Sequence, residues 1–136
     1  MPRIARVLET ALYVDDVERA KEFYAGHLDL SLLRCDDRMC AFAVGDTVLL
    51  LFLRGGGAAP VKTPGGTIPP HDGHGPLHMA IAIAAADLDG WERRLEHAGI
   101  AVESRIEWPR GGTSIYFRDP DGHLLEFATP GLWANY

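Results

Sequence analysis

Residues 114–127 read SIYFRDPDGHLLEF, and this stretch decides the fold. Ile115 and Phe117 alternate with Ser114 and Tyr116, and Leu125 and Phe127 alternate with Leu124 and Glu126. Alternation of period two sends the two sets to opposite faces of a strand. Asp119-Pro120-Asp121-Gly122 lies between them, with Pro pre-setting φ and Gly supplying φ > 0 for a turn. The reading is a hairpin of strands at about 113–118 and 123–129. One face is apolar, and the other carries Ser114, Tyr116 and Glu126.

Working outward, residues 101–108 read as a further strand. Before them, Leu88, Trp91, Leu95 and Ala98 make one apolar helix face. Asp87 is the candidate N-cap, and Gly99 sits where a C-terminal left-handed residue is wanted. LHMAIAI at 77–83 is the opening strand, so the order is βαβββ. The N-terminal half repeats it. RVLETALYV at 6–14 reads as a strand, and Asp15 or Asp16 offers an N-cap. Val17, Ala20, Phe23, Tyr24 and Leu28 follow at helical spacing. Strands are expected at 31–35, 39–44 and 47–53, with a tight turn at Gly45-Asp46. Residues 54–76 hold seven glycines and five prolines, so no regular structure is expected there. A connection this long is usually functional or mobile.

The expectation is one α+β domain. Module one covers about 5–54, a Gly/Pro-rich loop 55–76, module two about 77–129, and a tail 130–136. Two βαβββ modules would form paired curved mixed sheets around a shared cavity, with helices on the outer faces.

Composition narrows the function classes. The formal net charge is −6 over 136 residues, which argues against a nucleic-acid or anionic-membrane partner. The N-terminus lacks the apolar core of a signal peptide, and Val48 to Leu53 is too short to span a bilayer. A cytoplasmic location is expected, and Cys35 and Cys40 are read as free thiols.

The alternation also sorts the opening strands. Leu8, Leu12 and Val14 fall on one face of the first, and Val7, Glu9, Ala11 and Tyr13 on the other. Leu77, Met79, Ile81 and Ile83 oppose His78, Ala80 and Ala82. Glu9, His78, Ser114, Tyr116 and Glu126 thus all fall on faces turned from the helices. A mid-strand Glu between apolar neighbours is costly unless paired, hydrogen-bonded or metal-bound. Two carboxylates and an imidazole suit one divalent ion such as Mn, Fe, Zn, Ni or Co. Three protein ligands would leave positions open for water and substrate. The alternatives for Glu9 are a general base or a partner of a buried Arg. Arg110, in Pro-Arg-Gly-Gly, is either an anion-binding group at the cavity mouth or an exposed turn residue. Tyr116 either handles a substrate proton or lines the wall. His71 and His74 belong to a solvated loop or a lid. Trp91 is read as core, Trp108 and Trp133 as cavity lining or a subunit contact, and Arg118 as a partner of a turn carboxylate.

ETALYVDDVERAKEFYAGHLDL, GPLHMAIAI and SIYFRDPDGHLLEF together resemble the vicinal oxygen chelate superfamily, the glyoxalase, bleomycin-resistance and extradiol-dioxygenase group. The resemblance spans nearly the whole chain outside the Gly/Pro loop. It implies metal chelation of two neighbouring substrate oxygens, with Glu9, His78 and Glu126 at the matching ligand positions. Four-ligand members also use the last strand of module one, where Leu50 or Leu51 stands here, so three ligands are implied. Ser114 and Tyr116 resemble substrate-contact positions of fosfomycin enzymes, although EWPRGG lacks the expected Lys. The implied activity is that of a lyase, isomerase, transferase or ring-cleaving dioxygenase on a small oxygen-rich substrate, with catalytic roles for Tyr116 and Glu126. The alternative is a metal-free small-molecule binding protein of the bleomycin-resistance type. A homodimer is implied in either case.

Overall fold

The computed structural model describes all of residues 1–136. The chain divides into two compact units, residues 1–74 and 75–136.

In the first unit, β1 (Glu9–Val14) leads into α1 (Val17–Lys21), which runs on as a π-helical turn, Glu22–His27. Asp16 is the N-cap, its Oδ1 accepting the Arg19 N–H at 3.0 Å. The wider turn ends with the Leu28 N–H donating to the Phe23 carbonyl. Phe23, Tyr24 and Leu28 are thereby all buried. β2 (Ser31–Cys35), β3 (Met39–Val44) and β4 (Thr47–Leu53) complete the unit's main sheet in the order β1-β4-β3-β2. β1 pairs with β4 in parallel, and the other pairs are antiparallel. Leu12, Val14, Phe42, Leu49 and Leu51 pack beneath α1, with the Tyr24 and Phe42 rings 6.1 Å apart.

The first unit departs from expectation at three points. β1 begins at Glu9, and Leu8 is exposed rather than core. Cys35 and Cys40 face each other across the β2–β3 hairpin and form a disulfide, so neither is a free thiol. Strand register, invisible in composition, brings them together. The Gly/Pro segment also contains a hairpin, β5 (Val61–Thr63) and β6 (Gly66–Ile68). Its Pro64-Gly65 corner is held by the Thr63 hydroxyl donating to the Gly66 carbonyl at 2.7 Å.

The second unit repeats the plan. β7 (His78–Ala82) is followed by a 3-10 turn (Ala85–Asp87), α2 (Leu88–His97), β8 (Ser104–Glu107), β9 (Thr113–Arg118) and β10 (Leu124–Ala128). The sheet order is β7-β10-β9-β8, with β7 and β10 parallel. Asp87 stands at the N-cap of α2 without a capping side-chain bond, because the 3-10 turn already leads the chain into the helix. Gly99 ends it at φ 71°, as the sequence demands. Ile115, Phe117, Leu125 and Phe127 form the core, and Trp91 packs on Phe127 with ring centroids 4.7 Å apart. Two βαβββ modules, each a four-stranded mixed sheet, are thus present as read from the sequence. No helix is long and apolar enough to cross a membrane.

Candidate functional site

In the second unit, the face of the sheet away from α2 carries His78, Ser114, Tyr116 and Glu126. Register explains the gathering: Glu126 is paired with Tyr116, Ser114 with Ala128, and His78 with Leu124. Glu126 is buried, at 4% exposure. Oε2 accepts the Ser114 hydroxyl at 2.5 Å, and Oε1 lies 3.4 Å from His78 Nε2. Ser114 is itself oriented, since its Oγ accepts the Trp108 Nε1–H at 2.8 Å. Its proton is therefore directed at Glu126, a charge-assisted arrangement that offsets burial of the carboxylate.

The imidazole is equally constrained. His78 Nδ1 lies 2.9 Å from the Leu124 carbonyl. A carbonyl can only accept, so Nδ1 carries the proton. In the neutral ring Nε2 then presents a lone pair towards Glu126 Oε1, and two acceptors face each other. A proton on the imidazole, a cation or a bridging water resolves that opposition. Imidazole and carboxylate meeting one ion at about 2.1 Å each lie roughly 3–3.5 Å apart when they bind as neighbours. The observed 3.4 Å fits. The carbonyl behind Nδ1 and the serine behind Oε2 are the outer partners that metal ligands commonly have.

Tyr116 stacks beside His78, with rings 6.3 Å apart and 25° from parallel. Its phenol is pushed above its usual value, first by burial, then by the negative charge of Glu126 and the hydrogen bond to it, while a bond with Ser114 opposes. The hydroxyl is therefore held protonated beside the carboxylate.

Glu9 is on the first unit's sheet, exposed, sharing a face with Ala11 and Tyr13, and no Arg pairs with it. No group of three His, Cys, Asp or Glu side chains able to hold a metal occurs within the chain. Arg110 is exposed in the turn closed by the Gly111 N–H donating to the Trp108 carbonyl. Arg118 bonds Glu103 at 2.8 Å and the Gly122 carbonyl at 3.0 Å, not a turn carboxylate.

Two contacts escaped the sequence reading. Trp108, expected as cavity lining or a subunit contact, donates to Ser114 from six residues upstream. His71 lies in the segment expected to be a solvated loop or a lid, yet its Nδ1 is 2.7 Å from the Tyr13 hydroxyl.

The model of the Glyoxalase/Bleomycin resistance protein/Dioxygenase superfamily matches residues 4–127. Metallothiol transferase FosB of Shouchella clausii is 46% identical over 57 residues, 40% of this chain and 39% of that protein. Glutathione transferase FosA of Serratia marcescens is 38% identical over 60 residues, 43% of this chain and 40% of that protein. The matched stretches thus span about 40% of the length of these curated relatives. The crystal structure of lactoylglutathione lyase from Agrobacterium tumefaciens superposes with a TM-score of 0.88. It is 33% identical and covers 98% of this chain and 99% of its own.

Proposed function

The chain belongs to the Glyoxalase/Bleomycin resistance protein/Dioxygenase superfamily, and on that premise we propose that it is a divalent-metal-dependent enzyme acting on a small oxygen-rich substrate. The observation that carries the reading is the pair His78 Nε2 and Glu126 Oε1, 3.4 Å apart, with Nδ1 already committed to a carbonyl. A metal-free binding protein has no need of a buried carboxylate aimed at an imidazole lone pair. His78 and Glu126 are the proposed ligands, with Glu9 as a third, from this chain or from its partner in a homodimer. Mn, Fe, Zn, Ni and Co all accept such a donor set.

When bound, such an ion supplies Lewis-acid stabilisation of negative charge on substrate oxygen. The chain's own residues do the rest. Ser114 holds Glu126 in one orientation. Tyr116 keeps its proton and can donate a hydrogen bond to a substrate oxygen. The exposed Arg110 is the proposed contact for an anionic substrate group. The FosB, FosA and lactoylglutathione lyase likenesses favour transfer or lyase chemistry over ring cleavage.

Elemental analysis of protein purified without chelators tests this. About one divalent ion per chain is expected, and it is lost in Glu126→Ala. Wild-type protein that neither carries nor takes up Mn, Fe, Zn, Ni or Co would return the metal-free binding protein as the better reading.

A further inference from the structure

The second unit also holds a buried histidine outside the His78–Glu126 pair. His123 follows the Asp119-Pro120-Asp121-Gly122 turn and is 0% exposed. The turn fixes its backbone: the His123 N–H donates to Asp119 Oδ1 at 2.8 Å, and its carbonyl accepts the Asp119 N–H at 3.1 Å. Asp119 Oδ1 also accepts the Asp121 N–H at 3.0 Å. From this anchored base the ring reaches the start of β7. His123 Nδ1 accepts the Leu77 N–H at 2.9 Å. A backbone N–H can only donate, so Nδ1 keeps its lone pair and the ring proton sits on Nε2.

Leu77 immediately precedes His78. Its N–H goes to the His123 ring, and its carbonyl accepts the Leu124 N–H at 2.8 Å. In return, His78 Nδ1–H donates to the Leu124 carbonyl at 2.9 Å. Leu77-His78 is thus gripped by His123-Leu124, with opposite tautomers on the two imidazoles. The grip matters because β7 is an edge strand entered from Gly75-Pro76, and a proline brings no N–H of its own. The His78 side chain is 51% exposed, so packing alone does little to place it.

The internal repeat supplies a comparison. Glu9 pairs with Val48 as His78 pairs with Leu124, so Thr47 stands where His123 stands. The backbone bond is kept, with the Val48 N–H donating to the Leu8 carbonyl at 2.9 Å. The side-chain grip is not kept: the Thr47 hydroxyl donates back to the Val44 carbonyl at 2.8 Å. Leu8 is exposed, whereas Leu77 is half-buried.

We infer that His123 is a positioning residue: through Leu77 it fixes the start of β7, and with it the edge of the His78 imidazole that is turned to Glu126. Its effect on metal affinity rests on the reading of His78 and Glu126 as ligands. Its effect on the His78 ring rests on the hydrogen bonds alone.

Imidazole NMR and Zn competition on the full chain test this. In metal-free wild type, His123 is expected with its proton on Nε2 and His78 with its proton on Nδ1. His123→Leu keeps bulk but orphans the Leu77 N–H. The His78 ring should then show both tautomers, the Leu77 amide should exchange faster, and Zn affinity should fall about tenfold or more. His123→Asn places an amide oxygen where Nδ1 stood and should restore all three. Leu95→Ala, a core truncation on the helix side, should lower stability without moving the His78 tautomer or Zn affinity. An unchanged His78 tautomer and Zn affinity in His123→Leu, or a wild-type His123 protonated on Nδ1, would overturn the inference. A folded His123→Asn with lost Leu77 protection and weakened Zn binding would do the same, and that arm stands even where His123→Leu fails to fold. Wild type that takes up no Zn would sink the metal reading instead, and the metal-free tautomers would still decide the role of His123.

Discussion

Ser114 does more for the site than its size implies. It is fully buried, accepts a hydrogen bond from Trp108 and donates one to Glu126, so one hydroxyl links an indole to a carboxylate. Ser114→Ala leaves both partners unsatisfied. The expected outcome is a loss of metal affinity of about 10–100-fold, the usual cost of removing an outer partner of a ligand. Stability should fall by about 1–3 kcal/mol, since an unpaired buried polar group is expensive. Competition with a chromophoric chelator reads the first and urea unfolding the second. Unchanged metal affinity with reduced stability would make Ser114 a structural residue only. Tyr116 differs in kind: its raised pKa keeps a proton in place next to a negative charge, which is what a hydrogen-bond donor to substrate oxygen needs.

The Gly/Pro segment is the element whose nature most departs from expectation. Its glycines and prolines led to an expectation of no regular structure. Yet a three-residue-per-strand hairpin forms inside it, because a Pro-Gly corner and the Thr63 hydroxyl close the turn locally. The His71 N–H donates to the Gly57 carbonyl at 2.9 Å, and a Cβ on Gly73 would lie 2.7 Å from the Tyr13 ring, so the segment packs on the sheet. Gly73→Ala should force the Tyr13 ring and the returning chain apart. The cost expected from such overpacking is about 1–3 kcal/mol, and the His71 amide should lose protection from hydrogen exchange. Retained protection at His71 would show that the segment adapts without detaching. Each βαβββ element set, by contrast, behaves as its alternation pattern required, and the strands at 31–35, 39–44, 47–53 and 113–118 match their expected limits.

At the scale of the whole molecule, each main sheet has open edges. β1 and β7 are edge strands of their own sheets, and edge strands present unpaired backbone groups. Ile4, Val7 and Leu8, just before β1, are exposed by 96%, 72% and 58%, and Trp133 in the tail by 68%. Exposed apolar residues next to a free strand edge are a common form of subunit contact. Light scattering at micromolar concentration should therefore give twice the chain mass of 14.9 kDa. A single-chain mass that persists on concentration would remove the homodimer from the proposed function.

Residue order alone determined the two βαβββ modules, a helix start at Asp15 or Asp16, a helix end at Gly99, and the faces on which Glu9, His78, Ser114, Tyr116 and Glu126 fall. These are local properties, set by side-chain periods of 2 and 3.6 and by turn chemistry. Only the tertiary structure decided which polar groups meet. Strand register set Cys35 opposite Cys40 and carried Ser114 to Glu126, and the Leu124 carbonyl on His78 Nδ1 left Nε2 facing the carboxylate. Loop anchoring brought His71 to Tyr13 across 58 residues of chain. Such pairings depend on contacts between segments far apart in sequence, and no periodicity within one segment encodes them.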